Sequence, residues 1–293
     1  MELCLTAIVR NEAPVIARML GSVRPHISSY SISDTGSTDG TQDIIREMLR
    51  GVPGVLTEDK WIDFATNRNI ALTNARGTHA LTVDADEVLW RTGNGPLPDT
   101  ERVSIKLNAS GCEYWNPRII QLGRGIEWRG VIHELPEKDG ATDGMSDMFE
   151  IQSIGDGNRS KDGNKLASTL ALLESVEQTP RTLFYRARTL FEMQRYEEAT
   201  LFFEKHIESD AMPEEKYVSH VQRAAALREL GRPSLSAMAT AYEFRPQRPE
   251  ALLALFYEVS EQIERFIPGH TDTLFLDRNA EREIKQLQQW KQK

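Results

Sequence analysis

The sequence predicts an α/β protein, a mixed sheet with helices on both faces, followed by an all-α domain of repeated helix pairs. Two observations carry this. Over roughly the first eighty residues, short apolar runs alternate with stretches whose apolar residues recur at helical spacing, the pattern of a parallel sheet crossed by helices. From Asn164 onward only the helical spacing remains. The expected division is an α/β domain over 1–156, a linker or lid over 157–164, and a helical domain over 165–293.

Leu3-Cys4-Leu5-Thr6-Ala7-Ile8-Val9 is a near-continuous apolar run, as expected of a central strand covered on both faces. Val15, Ile16, Met19 and Leu20 then place a helix over 13–20 that Gly21 ends. Tyr30–Ser33 makes a second strand, and Ile44, Ile45, Met48 and Leu49 line one face of a helix over 42–49. Val55–Thr57 is a third strand, 64–75 a third helix, and Ala80–Val83 a fourth strand. The polar loops after Val9, Ser33 and Val83 all fall at the carboxyl edge of the sheet, where open α/β sheets bind ligands.

From Arg102 to Ile154 the pattern changes to an antiparallel extension of the sheet. Val103–Leu107 alternates, and Ile119–Leu122 and Gly130–His133 are short strand-like pieces. The Gly- and Asp-rich segment 139–147 reads as a mobile loop. In the helical half, pairs over 182–191 with 196–207 and 215–230 with 234–244 repeat at about 37 residues, close to the roughly 34 of a tetratricopeptide unit. Small residues such as Ala187, Ala199 and Ala224 recur where paired helices would touch.

Hydrophobic residues at 40% and charged residues at 27% describe a folded chain with an ample core. A net charge of −9 argues against broad attraction to nucleic acid or to an anionic membrane. No apolar run is long enough to span a bilayer. No basic-then-apolar leader opens the chain, so a cytoplasmic location is expected. Cys4 and Cys112 are not in metal-like spacing and are expected as two buried free thiols.

The stretch Val83-Asp84-Ala85-Asp86-Glu87 places three carboxylates within four positions at the end of an apolar strand. Like charges so placed repel unless something positive neutralises them, and a hard divalent cation is one such partner. An acidic turn closing a strand is the structural alternative. Asp34-Thr35-Gly36-Ser37-Thr38-Asp39-Gly40-Thr41 follows the second strand. Its Gly and hydroxyl residues suit a tight turn capping the next helix. Asp34, at a strand end, suits an acceptor for a nucleobase N–H or a ribose hydroxyl instead.

Taken with Arg10-Asn11-Glu12 and Asp84-Ala85-Asp86, this loop resembles glycosyltransferase family 2, of the Rossmann-like GT-A fold, over roughly the first 155 residues. Arg68-Asn69, Trp128-Arg129-Gly130-Val131-Ile132-His133-Glu134 and the helical tail resemble the branch fused to tetratricopeptide repeats. The resemblance implies an inverting transferase, a hexosyltransferase, using a nucleotide-sugar donor, usually a UDP-sugar. Donor contacts would come from Arg10, Glu12, Asp34, Asp39, Arg68, Asp84 and Asp86. Asp34 would recognise the base, and Asp84 the ribose or sugar. Asp86 would ligate Mn²⁺ or Mg²⁺ at the diphosphate, and Arg68 would pair with phosphate or neutralise the acidic cluster. On the acceptor side, Glu134 would be the general base, with His133 orienting it or serving in its place. Trp128 would floor the sugar or acceptor site.

One departure stands out. The family often has a metal-binding His after the last strand, and here Ile151-Gln152-Ser153-Ile154-Gly155-Asp156-Gly157 places Ser153 there. Serine is a poor divalent ligand, so water or Asp156 would have to complete the site. Residues 156–161 would form either a lid, with Arg159 and Lys161 on the diphosphate, or a linker. Helix-pair repeats commonly hold extended peptides, so a peptide or protein acceptor is expected, with a saccharide or a modified DNA base as rivals. The helical domain would alternatively make a homodimer, or serve as a binding scaffold on a degenerate transferase.

Overall fold

The structure is a computed structural model that describes residues 2–266. It divides into two compact units, Met1–Lys165 and Leu166–Lys293. The part of the expected helical domain beyond residue 266 lies outside the described residues.

In the first unit, β1 (Leu3–Val9), β2 (Ser29–Asp34), β3 (Gly54–Glu58) and β4 (His79–Thr82) run parallel. They are joined by α1 (Ile16–Val23), α2 (Thr41–Met48) and α3 (Phe64–Asn74). Then follow β5 (Glu87–Arg91), β6 (Arg102–Ala109), β7 (Cys112–Gln121), β8 (Glu127–Arg129), β9 (Leu135–Glu137) and β10 (Asp143–Ser153). The eight-stranded mixed sheet has the order β3-β2-β1-β4-β7-β6-β10-β5, with β8 and β9 as a separate hairpin. Alternate residues of a strand point to opposite faces. Leu81 accordingly joins the core that buries Ile16, Met19, Leu20 and Ile45 of α1 and α2, while its neighbour Ala80 joins Ala65 of α3, Ile126 and Trp128. Helices therefore cover both faces of the parallel half.

Four expectations are corrected, and one strand that the sequence does not assign is added. Gly21 does not end α1, which runs to Val23; Pro25, in the following 3-10 turn Arg24–His26, supplies the break. Gly130–His133 is not a strand, because Gly130 and His133 take left-handed backbone with φ of 99° and 48°. The segment 139–147 is not loop throughout, since Asp143, Gly144 and Met145 pair with β6 and Arg102 forks onto the Asp143 carboxylate at 2.7 and 2.6 Å. Glu87–Arg91 forms β5, paired antiparallel to β10. Finally, Cys4 is buried but Cys112 is exposed, at the tip of the β6–β7 turn.

The second unit contains α4 (Lys165–Glu174), α5 (Pro180–Glu192), α6 (Tyr196–Glu208), α7 (Pro213–Glu229), α8 (Leu235–Phe244) and α9 (Pro249–Phe266). From α5 on, consecutive helices pack as neighbours. Ala187, Ala199, Ala224 and Ala241 are fully buried, so backbones approach closely. Pro180 opens α5 behind a Thr179 capping box, and Pro213 opens α7. Between α6 and α7 lies a fully buried His206, whose Nδ1 is 2.8 Å from the Ser219 hydroxyl.

Candidate active site

The carboxyl ends of β1 and β2 are laced together by their loops. The Asn11 N–H donates to Ser37 Oγ, the Glu12 N–H to Thr41 Oγ1 and the Ala13 N–H to Asp39 Oδ2. Asn11, at φ 55°, accepts in return from the Thr38 N–H at 2.8 Å. Asp39, expected on the donor, is thus committed to the Ala13 and Thr41 N–H groups and the Thr41 hydroxyl. The hydroxyls do not cap α2 as the sequence suggested: its N-cap is Gly40, left-handed at φ 94°. Asp34 is completely buried. Its Oδ1 accepts from the Gly36 and Ser37 N–H groups, and its Oδ2 has no hydrogen-bond partner.

The acidic stretch after β4 meets two buried arginines. Arg68, on α3, donates from Nη2 to Asp84 Oδ1 at 2.7 Å and from Nε to Glu134 Oε1 at 2.5 Å. Arg118, on β7, donates to Glu87 Oε1 at 2.7 Å and to Asp84 Oδ2 at 3.4 Å. Of the two alternatives open for Arg68, this is the neutralising one. Burial alone would raise the Asp84 pKa, but the two guanidiniums outweigh it and hold Asp84 below the usual carboxylate range. Three carboxylates facing two guanidiniums leave one negative charge in excess. Burial pushes Glu87 up to about 7 against the pull of Arg118, and the nearby Asp84 charge adds to that rise. Each arginine still has one buried N–H without a partner, Arg68 at Nη1 and Arg118 at Nε.

Beneath Arg68 lies Trp128, its ring centroid 5.1 Å from the guanidinium carbon. The indole is buried against Ala65, Ile120 and Ile126, so it floors the arginine and packs the core. The Asn69 side chain clamps the Trp128 backbone, accepting from its N–H at 2.8 Å and donating to its C=O at 2.9 Å. Asn69→Ala would leave both groups unpaired and is expected to cost about 2 kcal/mol. Urea unfolding followed by tryptophan fluorescence checks this, and an unchanged midpoint would refute the clamp. His133, beside Glu134, is exposed.

A cleft of about 550 Å³ opens at the end of β1, lined among others by Arg10, Glu12, Thr35, Trp61, Arg159 and Lys161. Trp61 and Phe64 meet edge to face at 4.8 Å, and Arg159 lies over Phe64 at 4.6 Å. The segment after β10 closes on the acidic residues. The Gly157 N–H donates to Asp86 Oδ2 at 3.3 Å, and the Asn158 N–H to Glu12 at 3.0 Å. Arg18 forks onto Asp156. Burial raises the Glu12 pKa, and the nearby Asp86 and Asp39 charges add to that rise.

These residues do not fit a cation held by the protein alone. Asp84 belongs to Arg68 and Arg118, and Asp156 belongs to Arg18 rather than completing a metal site. Ser153 pairs with Glu87 across β10 and β5. Among the described residues no three His, Cys, Asp or Glu side chains converge as a ligand set. Arg10, Glu12, Thr35 and the 158–162 turn are brought together, as are Arg68, Asp84, Trp128 and Glu134. Sequence reasoning missed Arg118, Trp61 and Phe64. Arg118 had a signal, a lone charge within the apolar strand Pro117-Arg118-Ile119-Ile120.

Residues 6–90 match the family model described as Glycosyl transferase family 2. A prophage-derived glycosyltransferase of Bacillus subtilis, SunS, is 24% identical over 221 residues, covering 68% of this chain and 52% of its own length. The chain thus spans about half the length of the curated relatives it matches, 52% for the SunS proteins. A TPR repeat-containing protein of Synechococcus elongatus is 37% identical over 89 residues, 30% of this chain and 21% of its own. Among solved structures, S. aureus TarS in complex with UDP-GlcNAc aligns over 94% of this chain and 84% of its own, at 12% identity and a TM-score of 0.42. No described helix is long and apolar enough to cross a membrane. Residues 6–90, which hold Arg10, Glu12, Asp34, Asp39, Arg68, Asp84 and Asp86, therefore match a glycosyltransferase family 2 domain.

Proposed function

We propose that the chain is an inverting glycosyltransferase that takes a nucleotide-sugar donor, a UDP-sugar, at the carboxyl edge of β1 and β2. The observation that carries the donor is the buried, unpartnered Oδ2 of Asp34. A buried carboxylate oxygen is costly to leave unpaired, and the N3–H of uracil supplies the missing donor, where cytosine offers an acceptor at that position. Thr35, next in sequence, lines the cleft. Asp84, fixed between two arginines, meets the ribose or sugar.

The acceptor hydroxyl or other nucleophile attacks the anomeric carbon as the bond to the diphosphate oxygen breaks. Its proton passes to Glu134, with His133 alongside. Arg68 pairs with Glu134 and tethers it to the donor-side Asp84. The helices α5–α6 and α7–α8 act as tetratricopeptide-like hairpins presenting a peptide or protein acceptor. The match of the family model and the curated relatives named glycosyltransferases support this reading.

The test is UDP release from UDP-glucose and UDP-GlcNAc. Glu134→Gln is expected to lower kcat about 10²–10⁴-fold, with donor affinity retained. Asp34→Ala is expected to weaken UDP binding about tenfold or more. If neither substitution lowers turnover, the assignment is wrong. A second reading, a degenerate transferase serving as a binding scaffold, draws on the same Arg68 lock, since the guanidinium already occupies an oxygen of the carboxylate that would take the proton. Turnover indistinguishable from buffer with every donor would favour it.

A further inference from the structure

Carboxylates at the donor edge accept from partners within the protein, and three cations, Arg10, Arg159 and Lys161, line the cleft beside Glu12 and Asp162. Asp84 is shared by Arg68 and Arg118, and Asp156 is forked by Arg18. Glu12 and Asp86 each accept a backbone N–H from the segment that follows β10. At Gly157 a Cβ would lie 3.1 Å from both Cγ and Oδ2 of Asp86, so main chain is pressed directly onto that carboxylate. A divalent ion on Asp86 Oδ2 would compete with that amide for the oxygen.

Positive charge stands on the other side of the same segment. Arg10, Arg159 and Lys161 line the cleft together with Asn11, Thr35 and Trp61. Arg159 lies over the Phe64 ring, and burial lowers its pKa despite Asp162 and Glu134. A guanidinium partly stripped of water gains most from an anion of strong charge.

We propose that Arg159 and Lys161, with Arg10, neutralise the departing nucleoside diphosphate in place of a divalent cation. The proposal rests on the donor reading above. When the bond from the anomeric carbon to the β-phosphate oxygen breaks, the electron pair stays on that oxygen. The diphosphate gains one unit of negative charge, while the acceptor's proton goes to the general base. Metal-assisted transfer meets the developing charge with a cation such as Mn²⁺. Fixed side-chain cations aimed at the same oxygens do so without metal. The arrangement also makes the Ser153 position intelligible, because a metal-binding histidine has no task there.

Calorimetric titration of the full chain with UDP, in EDTA and again with Mn²⁺, tests this, with uridine as the uncharged comparison. The expected result is a UDP affinity that Mn²⁺ changes less than about twofold, and that falls as salt rises. Lys161→Ala and Arg159→Ala should each weaken UDP about tenfold while leaving uridine unaffected. Arg159→Lys should restore part of the loss and controls for misfolding, alongside thermal midpoints. UDP binding that appears only with Mn²⁺ overturns the proposal and leaves the donor reading standing. UDP affinity unmoved in both alanine variants also overturns it. Absence of UDP and uridine binding under both conditions overturns the donor reading itself.

Discussion

Replacing Arg68 with alanine is expected to lower the unfolding free energy of the first unit by about 3–5 kcal/mol, the cost of breaking a buried ion pair from one side. Arg68 is 7% exposed, and its guanidinium holds Asp84 and Glu134 at once. Without it Glu134 loses its counter-charge, Asp84 keeps only the 3.4 Å contact with Arg118, and Trp128 loses the cation above its ring. Equilibrium urea unfolding measures the effect, and a change below about 1 kcal/mol would show that solvent replaces the network freely. Arg68→Lys keeps the charge but lacks the fork that reaches two carboxylates, so it should recover only part of the stability. Turnover should fall with both variants.

The second large effect concerns acid stability of the helical unit. His206 is fully buried between α6 and α7. Burial, with the charge of Lys216, lowers its pKa to about 4. Its Nδ1 meets the Ser219 hydroxyl, and its Nε2 is 3.9 Å from Glu215, beyond hydrogen-bond reach. In the unfolded chain the same imidazole takes its proton near 6.5. The stabilisation is therefore complete above about pH 6.5 and is lost as pH falls toward about 4, where the folded state can also protonate. The loss over that window is about 3 kcal/mol. Chemical denaturation at a series of pH values, comparing wild type with His206→Gln, isolates it. Equal slopes between pH 6.5 and 4 in the two proteins would refute the assignment.

Much of the parallel half is legible in the sequence because its strands are apolar runs ended by polar loops. Arg10, Asp34 and Asp84 stand out there as polar residues where the apolar pattern stops. What stays illegible depends on pairings between distant residues. Glu87–Arg91 has charged ends and stays unassigned from sequence, because the partner that makes it a strand, β10, is distant along the chain. The start of β10 is Gly- and Asp-rich, and its pairing with β6 is reinforced by Arg102, some forty residues away. The Arg118 partners come from the turn after β4 and the first residue of β5, so sequence shows the charge but not its mates. His133 and Glu134 look like a strand end in sequence, whereas left-handed backbone at His133 turns the chain just before Glu134.

The lacing of the first two loops bears on how such a domain diversifies. Asn11, Glu12 and Ala13 are bound through their main chain to the side chains of Ser37, Thr41 and Asp39, and Asn11 answers through its amide to Thr38. Residues 10–13 and 34–41 therefore form one heritable module split across two places in the gene. A recombination crossover between them would join halves from different parents and strand several polar groups at once. Chimeras built to exchange nucleotide preference between homologues would accordingly succeed as paired-segment swaps and fail as single-loop grafts.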